Sequence, residues 1–481
     1  MLVPRVRMQL VALIAIILAG AGLSFAQAKA TSNEADQQAL SLTVYNSNNA
    51  LVRDVRSLRL PAGNVELRFA DVASQIEPET VRIVPLTAPK QLTVLEQNYR
   101  YDLLSPQKLL KFYVGKQVTL VRQVTENNST KEVSMKATLL SDNDGLIWQV
   151  GGEIVTGMPA DHYIFPTLPH DLYSKPTLVW LLDNRSAGEQ KLEADYITKS
   201  VNWSADYVLT LPSEAPMAGL TSWITLKNSS GANFRNAHLQ LVAGQVHQAS
   251  QNIMPMAQGM MMMEAKAAAP GISQEGLSEY HLYTIQRPVT LPDDSSKQIA
   301  FVRASGINVQ KTYEIAGQQF YFYTPWPAGQ SGKEPVQAHL KFKNSEANSL
   351  GVPLPEGVVR VYQADSKGRM QFVGEDHIAH TPKDEEVNLT IGNAFDVTAE
   401  RKQTDFQRLS NNVYESAFQI TIRNHKNEAI TVDVNEPVNG TWTVQQSNYK
   451  YEKTSAFSIR FNVLVAADGQ SVLNYRVRVH R

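Results

Sequence analysis

Cysteine is absent from all 481 residues, which excludes disulfides, thiolate metal sites and a lipid anchor carried on cysteine. Net charge is nearly absent too: 45 basic residues stand against 46 acidic ones, giving −1 at neutral pH. No basic surface on the scale of the chain therefore invites nucleic acid or anionic lipid. The common catalytic signatures are missing as well, with no Gly-x-Ser-x-Gly elbow, no His-Glu-x-x-His, no Gly-x-Gly-x-x-Gly and no phosphate-binding loop. A Ser, His and Asp triad assembled across the fold would leave no local trace. The apolar run at residues 10–18 is short for a bilayer span of about 20 residues.

That run follows Arg5 and Arg7 and is followed by Ser24-Phe25-Ala26, the order of a secretory signal cut after Ala26. The alternative is an uncleaved anchor, and cleavage fits the short run better. With no cysteine behind such a signal, the expected compartment is the bacterial periplasm or exterior, with no integral span after signal removal. The sequons Asn388-Leu389-Thr390 and Asn439-Gly440-Thr441 then read as strand and turn composition.

What the chain does have is apolar alternation, in a sequence that is 43% hydrophobic and 19% charged, as for a folded protein. In VNWSADYVLTLP, Trp203, Ala205, Tyr207, Leu209 and Leu211 share one face. Leu220, Ile224 and Leu226 repeat the pattern, and so do Ala237, Leu239, Leu241 and Ala243. The link Asn228-Ser229-Ser230-Gly231 has hairpin composition, so residues 201–246 are expected to form a three-stranded antiparallel meander. One helix is expected in residues 105–115, with Ser105 as N-cap, Pro106 in the first turn and Gly115 at the stop. The short strands after it suggest a small barrel.

The expected class is all-β: antiparallel β-sandwiches of immunoglobulin-like modules, with a small N-terminal β unit, one short helix and a small barrel. The expected divisions are a signal peptide at 1–26, a β meander at 27–104, the helix and barrel at 105–168 and a central sandwich at 169–330. A second β unit at 331–405 and a C-terminal sandwich at 406–481 follow. A turn device recurs along the chain, an apolar residue followed two positions on by Asn, in Val44/Asn46, Leu182/Asn184, Leu226/Asn228, Phe342/Asn344 and Ile422/Asn424.

Three places carry candidate chemistry. Asp376, His377 and His380 hold metal-ligand side chains, although on a strand the two histidines face opposite sides and Pro382 opposes a helix. Met254, Met256, Met260, Met261, Met262 and Met263 lie in a segment without periodicity, a mobile loop or tether at residues 248–276; thioether sulfurs select Cu(I) and also serve as adaptable contact surface. Tyr321, Tyr323 and Trp326 would form a stacking platform if Phe320 to Tyr323 were a strand with its phenylalanines inward; packing in a sandwich is the commoner fate of such rings.

The phrases VNWSADYVLTL, WITLKNSSGANFRNAHLQLVAG, EYHLYTIQRPVTLPDDSSKQI and GEDHIAHTPKDEEVNLTIGNAFDVTAERKQ resemble an uncharacterised bacterial domain family also found at the C-terminal end of mucoidy inhibitor A-type proteins. LEQNYRYDLLSPQKLLKFYVGKQVTLVR is similar to the periplasmic single-chain branch of that group, although no heptad run precedes the sheet domain here. The resemblance implies an exported β-rich protein and carries no reaction, cofactor or catalytic residue. The expected role is a non-catalytic envelope scaffold or binding protein whose partner is a protein or cell-envelope component. The alternatives are a metal-dependent hydrolase around His377 or a Cu(I)-binding protein.

Overall fold

A computed structural model describes residues 28–100, 103–126, 129–169, 172–213, 217–244, 272–327 and 329–481. The expected signal and the six-methionine segment lie outside them. The described residues form two compact units, one from those up to 36 with those in 57–70 and 85–191, the other from those in 37–56, 71–84 and 192–481. Both are built of sheets, and among the described residues the one α-helix is Pro106–Phe112. No helix among them is long and apolar enough to cross a membrane.

In the first unit a four-stranded sheet runs in the order Ala28–Ser32, Gly63–Ala70, Thr177–Asn184, Leu92–Arg100. Its centre is Trp180, fully buried, whose indole N–H donates to Gln97 Oε1 at 2.9 Å and whose ring meets Phe69 edge-on at 5.7 Å. The helix starts as its sequence demands, with the Lys108 amide donating to Ser105 Oγ at 3.2 Å. Tyr113, at its end, joins Leu120, Leu139 and Trp148 in a small core over a five-stranded sheet. That sheet is open: its outer strands, Glu153–Thr156 and His162–Ile164, each pair with one neighbour and not with each other. Strands of three and four residues are too short to close the expected barrel.

In the second unit the alternation at 201–211 holds, burying Val201, Trp203, Ala205, Tyr207 and Leu209. The strand Val201–Leu211 pairs antiparallel with Met217–Asn228, as expected. The third member of the meander does not follow. Phe234–Ala243 lies in another sheet, where it runs parallel to Gln37–Tyr45, while Val201–Leu211 takes Gly357–Ala364 as a parallel neighbour on its other side. Residues 228–231 thus lead from sheet to sheet, and parallel pairs enter what reads locally as an antiparallel fold.

The C-terminal half is a sandwich. Strands Gln310–Ala316, Ile430–Pro437 and Ser458–Val465 are central in one sheet, and Val397–Arg408, Val413–Asn424 and Gly469–His480 in the other. Ile315, Val432, Phe461 and Val463 from the first meet Phe418, Ile420, Leu473 and Val477 from the second. Residues 405 and 406, an expected division, both lie within Val397–Arg408. Inside this core Arg401 is 0% exposed, donating to Glu334 Oε1 at 2.8 Å, Glu436 Oε1 at 2.6 Å and Tyr475 Oη at 2.8 Å. Burial alone would lower the pKa of the guanidinium; Glu436, Tyr475 and Glu334 raise it instead and keep it charged.

Four of the five repeated asparagines turn out to be one device. Asn184, Asn228, Asn344 and Asn424 are all buried at the end of a strand. Each amide donates to two or more backbone carbonyls of the loops beyond: Asn184 to Pro61 and Ser186, Asn228 to Ala232, Leu291 and Pro292, Asn344 to Val352, Thr381 and Pro382, and Asn424 to Glu428 and Ala466. Each Oδ1 accepts a backbone N–H, from Ser186, Ser230, Gly351 and Lys426 in turn. These residues bracket loops that have no ladder partners of their own. Asn46 is the exception, half-buried, with its amide on Glu356 Oε1 at 3.3 Å.

Candidate functional site

The bracket at Asn344 fixes the proline-rich segment 350–357 against residues 380–382. Tyr283 and Tyr207, both buried, pin it further by donating their hydroxyls to the carbonyls of Pro353 at 3.1 Å and Pro355 at 2.8 Å. Leu354 and Thr381 exchange backbone hydrogen bonds. Gly357 completes the seat, because a Cβ there would stand 2.0 Å from the Ala205 carbonyl oxygen across the parallel pair.

Glu356 and His380 emerge together from this seat. The Glu356 amide donates to His380 Nδ1 at 3.1 Å, so a neutral ring carries its proton on Nε2, which lies 3.8 Å from Glu356 Oε2. Neither side chain is sealed off, at 35% exposure for His380 and 41% for Glu356, so a solute can reach them. His281, on the strand Tyr280–Ile285, accepts at Nδ1 from the Gln274 amide at 2.8 Å. Burial, reinforced by the nearby charge of His380, lowers its pKa. The corner thus holds two imidazoles, one kept neutral, beside a carboxylate that Asn46 also engages.

Two imidazoles and a carboxylate are the side chains of a common metal triad, but here they do not converge. Among the described residues no group of three His, Cys, Asp or Glu side chains is arranged to hold a metal. The corner can exchange protons and offer hydrogen bonds to a polar group. Its pH response has a definite sign: with the His281 pKa lower folded than unfolded, the unfolded chain binds the extra proton first. Stability should be full above the unfolded value of about 6.5 and fall as the pH drops toward the folded value. His281→Gln should flatten thermal midpoints measured between pH 7.5 and 5; an unchanged slope would count against this arrangement.

The expected candidates fare differently. Asp376, His377 and His380 are separated. Asp376 spends both oxygens on backbone amides, those of His377 at 2.8 Å and Thr390 at 2.7 Å. His377 is exposed, and His380 turns toward Glu356 and His281 instead. The stacking platform needs a strand that does not form. Gln319–Phe322 is a 3-10 turn that buries the adjacent Tyr321 and Phe322 while Phe320 stays out at 53% exposure, an arrangement no strand face allows. Tyr321 and Trp326 meet edge-on at 5.2 Å against the core, and Tyr323 donates to the Asn439 carbonyl. Glu356 and His281 were missed because His380, the residue that joins them, lies more than 20 positions from either in sequence. The pattern Pro-x-Pro-Glu-Gly at 353–357 was the one local signal of a fixed turn.

No curated protein matches the chain. Residues 192–472, more than half of its length, match the family described as Domain of unknown function (DUF4139), and the chain belongs to that family.

Proposed function

We propose that this is an exported, non-catalytic protein of the bacterial cell envelope, a rigid β scaffold that binds a protein or envelope component. The observation that carries this reading is how the polar side chains of its interior are used. The four buried asparagines, Asp376 and the Arg401 network each hold backbone or strands in place, the investment of a scaffold whose surface shape matters. The signal-like residues 1–26 support export.

The test uses the full chain in intact cells. Fractionation should recover it outside the cytoplasm with Gln27 as first residue, and crosslinking before lysis should trap one recurrent envelope component. Elemental analysis of protein purified without a metal-affinity tag separates the hydrolase alternative. Stoichiometric, chelator-resistant zinc, or an intact Met1 in the cytoplasm, would sink the proposal.

A further inference from the structure

In the C-terminal sandwich a cavity of about 190 Å³ opens where Gln310–Ala316 meets the connection from Glu386–Asn393 to Val397–Arg408. It is lined by Lys311, Tyr313, Lys426 and Phe395, with Ile391 and Val373 among its apolar walls. Three features of this lining call for an occupant. Tyr313 is 4% exposed, yet its hydroxyl is in hydrogen-bond geometry with no other group, a state that buried hydroxyls seldom keep; its polar neighbour in the lining is the Lys426 ammonium, a donor that leaves the hydroxyl proton unused. Lys311 and Lys426 stand close enough to repel each other; the charge of Glu428 offsets part of that repulsion at Lys311. Asp396 and Glu428 act on the Tyr313 hydroxyl from outside the lining.

Phe395 is the third feature, a phenylalanine at 94% exposure on the rim. The backbone on either side of it is fixed, since the Ala394 amide donates to the Val336 carbonyl at 2.8 Å and the His425 amide to the Asp396 carbonyl at 2.8 Å. Lys426 is likewise held, its amide on Asn424 Oδ1 at 3.0 Å, so an asparagine bracket presents it to the cavity. An exposed aromatic on a rigid rim, in one lining with two cations and a buried hydroxyl, matches a ligand with an apolar ring at one end and an anionic group at the other. For scale, a dry cavity of about 150 Å³ accepts benzene.

We infer that this cavity binds a small amphiphilic anion, a carboxylate or phosphoryl group on an apolar or aromatic stem. The anion sits between Lys311 and Lys426 and accepts from the Tyr313 hydroxyl, while the stem packs on Phe395. Burial and the like charge of Lys426 lower the pKa of Lys311, a strain that a bound anion relieves. The inference does not rest on the scaffold reading, and either stands if the other fails.

Fluorine NMR of the full chain with 4-fluorobenzoate, 4-fluorophenylphosphonate and neutral 4-fluorobenzamide tests it. One of the two anions should saturate a site, the better one telling carboxylate from phosphoryl, and the amide should bind at least about tenfold more weakly, since charge-assisted hydrogen bonds contribute at that scale. Lys311→Gln and Lys426→Gln should each weaken the anion by about tenfold, and Phe395→Ala should weaken anion and amide alike, with melting midpoints unchanged. No saturation by either anion, equal binding of the amide, or binding untouched by both lysine changes would overturn it.

Discussion

Arg401→Ala should destabilise the C-terminal sandwich by about 3–5 kcal/mol, the range for removing one partner of a buried ion pair. Among the described residues Arg401 is the one cation paired with Glu334 and Glu436, and both carboxylates are buried. Alanine strands them in a medium that penalises charge. Burial already pushes the Glu436 carboxyl up against the pull of Arg401, and without the guanidinium it should rise further and take up a proton. A carboxyl whose folded pKa exceeds its unfolded one stabilises most at low pH and loses that contribution as pH rises. The deficit of the variant should therefore shrink between pH 7 and pH 5, which a plain packing defect would not do. Urea midpoints at the two pH values read both effects. A loss below about 1 kcal/mol, the scale of exposed pairs, would show that the network is dispensable. Arg401→Met with Glu334→Gln and Glu436→Gln should recover much of the loss, because it removes the stranded charges together.

Asn344→Ala should cost about 3 kcal/mol or more, and Asn344→Asp at least as much. Alanine leaves the Val352 carbonyl and the Gly351 amide without their partner and removes one of two donors from the Thr381 and Pro382 carbonyls, each buried orphan costing roughly 1–3 kcal/mol where water cannot replace it. Aspartate keeps the shape but brings a carboxylate to carbonyl oxygens that need a donor. Asn46→Ala, at a half-buried position, is the control and should stay within about 0.5 kcal/mol. Because the Asn344 bracket seats Glu356 and His380, the pH slope assigned to His281 should weaken with it. Equal effects at positions 46 and 344 would dismiss the bracket.

These asparagines show what the sequence could disclose and what it could not. The repeat was visible, as was the inward row from Trp203 to Leu209, because both are local spacings that the pleat makes meaningful. The meaning of the repeat was hidden, because a hairpin turn and a bracket use the same residue, and the carbonyls that Asn228 holds at 291 and 292 are more than 60 positions away. The parallel neighbour of Val201–Leu211 leaves no mark on either strand for the same reason. Tyr321 misled through composition: aromatic residues in a row suggest a strand, while two adjacent buried rings require a turn. At the candidate site His380 was legible as a residue but was given the wrong companions, since Glu356 and His281 are brought to it by loops.

The parallel pairing of Gln37–Tyr45 with Phe234–Ala243 also sets a clock. Thr43 and Gln240, whose side chains meet across it, are 197 residues apart, which at 5–20 residues per second is about 10–40 s of synthesis. For that interval the early strand has a free edge and a waiting apolar face, the state in which β chains associate wrongly. A nascent chain of this kind depends on being held open, and its yield in cells should respond to translation speed and holdase supply before it responds to any change in final stability.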